Sequence, residues 1–156
     1  MVVEPLRTAI ILAHPIAASI LIWAFYKQHG WVPKLGFANR EDREAAIRDH
    51  ESMGNKVALA VLIVIVIAFI SNVLRGLIDN NDPSSLLLPG FHGWTGLIGL
   101  AMMYLLWRLG RKTSEARDSG EKFASIKQSH EKLSDLVALL VAIHAFLGFL
   151  YLLSIL

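Results

Sequence analysis

Four stretches of this chain, residues 9–26, 57–74, 86–107 and 136–156, contain no Asp, Glu, Lys or Arg and consist largely of aliphatic and aromatic residues. At about 1.5 Å of rise per residue, each can cross a hydrocarbon layer of about 30 Å as a helix. A helix also satisfies its own backbone polar groups where no water is present to do so. The pattern predicts an all-α fold, a membrane-spanning antiparallel four-helix bundle. It forms a single domain over residues 1–156, with spans at about 6–27, 54–77, 86–108 and 134–156. A chain of 156 residues that is 54% hydrophobic could not hide this apolar surface in one small water-soluble core. The lipid bilayer is therefore its first partner.

The charges sort by side. Of the fifteen Lys and Arg, all but Arg7 and Arg75 fall within residues 27–56 or 108–132. Short basic loops stay in the cytoplasm, so both segments are expected there. Both termini are then non-cytoplasmic, in the periplasm or lumen of a bacterial inner or thylakoid membrane. The net charge of +2 follows this topology rather than a basic soluble face, which argues against a nucleic-acid partner. The first span is read as retained rather than cleaved as a signal peptide, because its apolar run continues through Trp23 and Phe25. Having no cysteine, the chain makes no disulfides, iron–sulfur clusters or covalent haem attachment.

Local signals place the element ends. Asn39 before Arg40-Glu41-Asp42 reads as an N-cap. A single long helix from about residue 40 to 78 follows, weakened at Gly54. The segment from Asp79 to Ser85 is dense in turn formers. Helix 3 is expected to have Pro89 in or near its first turn and to run past Arg111. Residues 113–129, which include Gly120, read as a helix end, a turn and a new start. Arg40–Glu44, Glu44–Arg48 and Asp118–Lys122 stand four apart, as on solvated helical faces.

Six histidines in so apolar a chain call for a reason, because ionisable groups in spans are costly. In an up-down bundle, helices 1 and 3 are diagonal, as are helices 2 and 4. His14 and His92 then share the outer depth, and His50 and His130 the inner one. Two facing imidazoles at one depth are what a low-spin haem b requires. Two haems are expected, with the inner pair the weaker because Asp49, Glu51, Glu131 and Lys132 flank it. Four residues after His14, His50, His92, His130 and His144 stand Ala18, Gly54, Gly96, Ser134 and Gly148, small enough to admit a macrocycle beside each ligand. Gly96 and Gly54 are thus candidate cofactor contacts. Arg7 is a candidate propionate partner outside, as are Arg43, Arg48 and Lys56 inside. His144 is expected to be a packed, hydrogen-bonded neighbour or an alternative ligand, and His29 an interfacial residue. The competing readings are interfacial snorkelling, interhelical hydrogen bonding, and a chlorophyll ligand at a lone histidine.

Ala13-His14-Pro15-Ile16 and Phe91-His92-Gly93-Trp94-Thr95-Gly96-Leu97, with one histidine per helix at 14, 50, 92 and 130, resemble the corresponding features of cytochrome b561 proteins. The chain is also similar, and closer in size, to an uncharacterised family of small four-helix membrane proteins of cyanobacteria and plastids. The b561 resemblance covers essentially the whole chain. It implies one haem on His14 and His92, a second on His50 and His130, and single-electron transport across the membrane. The chain departs from that family in lacking its flanking outer helices and in its highly charged inner ends. Ascorbate, a quinone, ferric iron or a redox protein are the expected donors and acceptors. The alternative is a small non-enzymatic subunit or assembly factor of a larger membrane complex, photosynthetic or otherwise, or a homo-oligomer, binding one haem, a pigment or nothing. A proton-coupled transporter ranks third, since the four uncharged blocks have no Asp or Glu to relay protons. The charge bias makes the first prediction. Impermeant labels applied from the non-cytoplasmic side should reach the termini and the 79–85 loop, and labelling of the Arg117 region from that side would overturn the topology.

Overall fold

The structure, a computed structural model, describes residues 3–30, 39–86 and 90–156. It contains four helices: α1 (Val3–His29), α2 (Arg40–Asn80), α3 (Phe91–Asp118) and α4 (Ala124–Ile155). There are no strands among the described residues. α1, α2 and α4 are each long and apolar enough to cross a membrane. α3 has an uncharged described stretch at 91–107 before Arg108. Its expected start at 86–89, Pro89 included, lies largely outside the described residues.

α1 packs closely on α2 and α3 on α4, while the α2–α3 and α1–α4 contacts are sparser. α1 and α3 are therefore diagonal, as are α2 and α4. Chain direction alternates: Arg7 at the start of α1 meets Asp79 at the end of α2 and the Ile155 carbonyl at the end of α4. Each helix contributes one residue to a central apolar cluster of Phe25, Val57, Leu106 and Val137, of which Val137 is fully buried. Trp23, Leu59, Phe69, Leu105, Leu139, Phe146 and Leu153 instead point outward. An exposed apolar girdle of this kind fits lipid as the solvent.

The helix ends follow local chemistry. The Asn39 side chain accepts from the Asp42 N–H at 2.8 Å, as an N-cap should. α2 continues through Gly54 and ends two residues later than its sequence suggested. Asp79 stays helical because its carboxylate is held by Arg7 at 2.8 Å and lies 3.8 Å from Arg75. Asn81 then takes the left-handed conformation (φ 52°), and the Asp82 N–H returns to the Gly76 carbonyl at 3.2 Å. The Asp82 carboxylate accepts from the Ser84 hydroxyl and N–H, which hold its pKa below the ordinary value. At the other end α3 does run past Arg111, and Gly120 (φ 71°) makes the turn into α4. The Arg40–Glu44 and Glu44–Arg48 pairs form at 2.7 and 3.5 Å. The expected Asp118–Lys122 helical pair does not, because α3 ends at Asp118, whose carboxylate bonds Arg117.

The outer turn depends on Gly76. A Cβ there would lie 2.6 Å from the Asp82 carbonyl oxygen, a backbone atom that cannot move aside cheaply. Gly76→Ala should destabilise the protein by about 1–3 kcal/mol. Gly90→Ala, with no described atom within 4 Å, should cost less, since it loses only the preference for Gly over Ala just before a helix. Thermal unfolding in detergent compares them, and equal melting points would contradict this packing.

Candidate cofactor site

His92, His130 and His144 are held by one repeated arrangement. On the helix facing each ring, a small residue leaves room for the imidazole, and the carbonyl four residues before it receives a hydrogen bond. His92 Nδ1 donates to the His144 carbonyl at 3.1 Å, and its ring lies over Gly148, where a Cβ would be 2.7 Å from Cε1. His130 Nδ1 donates to the Leu106 carbonyl at 3.1 Å, with its ring over Gly110 at 3.3 Å. His144 lies over Gly96 at 3.0 Å, and here the Thr95 hydroxyl intervenes. That hydroxyl donates to the His92 carbonyl at 2.9 Å and stands 3.0 Å from His144 Nδ1. Gln28 repeats the pattern on α2: it lies 3.7 Å from a Cβ at Gly54 and donates to the His50 carbonyl at 2.7 Å. Gly96 and Gly54 thus seat a neighbouring side chain, where the sequence suggested a macrocycle.

These bonds assign protons. A carbonyl oxygen only accepts, so His92 and His130 carry hydrogen on Nδ1. The Thr95 hydroxyl hydrogen is spent on His92, so His144 Nδ1 must donate to it. The neutral rings of all three then keep their lone pair on Nε2, with Nδ1 fixed by an outer partner. A metal-binding imidazole is held in the same way.

At the outer end the rings of His14 and His92 face each other across the diagonal, with centroids 6.0 Å apart at 68°. His144 stacks on His92 at 4.1 Å and 17°. One ring nitrogen from each of the three lies within 4.8 Å of the others. His14 Nδ1 is buried without a hydrogen bond. Tyr151 lies beside His92 at 6.3 Å. The buried Arg75 hydrogen-bonds the Tyr151 hydroxyl and sits 5.3 Å over its ring. Arg7 is engaged by Asp79 and the Ile155 carbonyl, so it closes the helix ends around the site.

At the inner end His50 and His130 line one cavity of about 970 Å³, together with Arg43, Arg48, Arg111 and Arg117. The two rings are close enough to interact electrostatically. His50 differs from the others, because Gln28 Nε2 approaches its Nδ1 at 2.9 Å. His29, read as interfacial, ends α1 with Nδ1 2.9 Å from the Ser134 hydroxyl.

The structure brings His14 and His92 together at the outer end, with His144 as a third member, and sets His50 and His130 on the wall of one inner cavity. Gln28, Thr95, Gly110, Arg75 and Tyr151 escaped the sequence reading. Arg75, a single cation beyond an apolar block, was the one visible signal. In comparisons with known proteins, no family model, curated protein or solved structure matches this chain.

The ring seats generate a prediction. Gly148→Ala and Gly96→Ala put a methyl group against an imidazole at 2.7 and 3.0 Å, and each should cost about 1–3 kcal/mol. Gly99→Ala meets only Leu140 at 3.8 Å and should melt with the wild type.

Proposed function

We propose that the chain is a membrane b-type cytochrome that moves single electrons between two bis-histidine centres, one near each end of its bundle. One observation carries the reading: His14 and His92 on diagonal helices meet at the outer end, His50 and His130 line one cavity at the inner end, and Nδ1 bonds to neighbouring helices leave Nε2 available on His92 and His130. Imidazole nitrogen binds a first-row metal at about 2.0–2.1 Å. One ring nitrogen of His14 and one of His92 lie within 4.8 Å of each other, close enough for both to hold a single metal centre.

A bound haem b would supply one-electron iron chemistry. His14 and His92 would hold the outer group and His50 and His130 the inner one. Arg43 and Arg48 line the inner cavity, where they can neutralise carboxylates entering from the basic face. The Nδ1 bonds fix ring orientation, and the apolar cluster of Phe25, Val57, Leu106 and Val137 keeps water from the space between the two ends. The basic inner face is assigned to the cytoplasm. The donor and acceptor would be a quinone, ascorbate, ferric iron or a redox protein.

A second reading is favoured by the third imidazole. His14, His92 and His144 together make a neutral nitrogen donor set for a bare copper or zinc ion. Metal analysis alongside a haem assay separates the two.

Purified protein should show a low-spin haem spectrum. His14→Ala and His92→Ala should remove the same component, and His50→Ala and His130→Ala the other. In sealed liposomes, external reductant should reduce a trapped impermeant acceptor, and His92→Ala or His130→Ala should abolish the transfer. Protein that lacks haem, or liposomes no faster than empty ones, would sink the cytochrome reading in favour of a subunit role.

A further inference from the structure

Gln28 is where the inner site departs from the outer one. Its Nε2 lies 2.7 Å from the His50 carbonyl oxygen and 2.9 Å from His50 Nδ1. The carbonyl decides which way the amide points. Reversing it would set two oxygens 2.7 Å apart with no hydrogen between them. An amide nitrogen has no lone pair with which to accept, so in the 2.9 Å contact His50 Nδ1 must be the acceptor. A neutral His50 then carries its proton on Nε2, opposite to His92, His130 and His144. A protonated Nε2 has no lone pair to give a metal, and the Nδ1 lone pair is already engaged.

We propose that Gln28 is a positioning residue that holds His50 in its non-coordinating tautomer, so that the inner site takes a haem only when the Gln28 amide leaves His50. The loading consequence rests on the haem reading above, whereas the tautomer does not. Room for the movement exists. Gln28 lines the inner cavity, and its contact over Gly54, at 3.7 Å, is ordinary van der Waals packing. Moving the amide away costs its bonds to His50. The ligand pair on His14 and His92 faces no such cost, so the outer centre should fill first.

Nitrogen-15 NMR of the imidazoles in haem-free protein tests the tautomer directly. Wild-type His50 should be protonated on Nε2 and His130 on Nδ1. In Gln28→Glu, whose carboxylate only accepts, the His50 proton should move to Nδ1. A wild-type His50 with its proton on Nδ1 would overturn the proposal. Haem titration of the full chain tests the consequence. Gln28→Leu and Gln28→Glu should each tighten the inner component by about three- to tenfold, the worth of one hydrogen bond. The outer component should stay unchanged and so reports on folding. The inner midpoint potential should be more negative in Gln28→Glu than in Gln28→Leu, because a carboxylate makes its imidazole partner more basic. Unchanged or weaker inner binding in both variants would overturn the loading step. A wild type that binds no haem would overturn the haem reading and the loading step together, and the NMR result would still decide the role of Gln28.

Discussion

Lipid gives two helices no hydrophobic reward for touching, since acyl chains are as apolar as Leu or Val. Close packing and hydrogen bonds must hold such a bundle together, yet backbone carbonyls within a helix already have partners. This chain uses the second lone pair of selected carbonyls. A side-chain nitrogen from the facing helix approaches over a residue small enough to admit it and bonds the carbonyl one turn earlier. His92, His130 and Gln28 do this directly, and His144 does it through Thr95. The close pairs α1–α2 and α3–α4 are the ones these bonds tie, and the diagonals they leave open are where imidazoles face each other.

The arrangement joins stability to chemistry. A histidine free to turn could offer either nitrogen to the bundle interior. One whose Nδ1 is spent on a carbonyl offers Nε2 alone, and its ring plane is set by the glycine beneath it. The helix contacts that assemble the bundle thereby also select a tautomer. The close approaches at Gly96, Gly110 and Gly148 serve both ends, so a methyl group at any of them would disturb packing and ligand geometry together.

Much of this was legible in the chain because lipid imposes simple rules. Uncharged runs marked the helices, and Asn39 and Gly120 marked ends that the structure reproduces. One histidine per helix at alternating depth pointed to His14 meeting His92, but not to the closer stacking of His144 on His92. The offset of four residues was also visible, but its meaning was not. Gly96 and Gly148 are each four residues past a histidine because each lies under the other's partner ring, a relation between two helices that no single helix displays. Gln28 was hidden for the same reason, since a glutamine near a helix end looks like a solvated residue until the facing His50 is known. The extension of α2 to Asn80 depended on Arg7, which is distant in sequence, binding Asp79.

The two ends differ in how their charge is arranged. At the outer end Arg7 and Arg75 share the Asp79 carboxylate, and Glu4 also acts on Arg7. Arg75 is buried, so its field is less screened than a surface charge would be. At the inner end Arg40 and Arg48 share Glu44, Arg111 faces Glu115, and Arg117 is divided between Glu51 and Asp118. These pairs lie around an open cavity where water screens them. The Arg75–Tyr151 contact thus sets one buried cation beside His92, whereas the inner histidines share their cavity with several paired, screened ones.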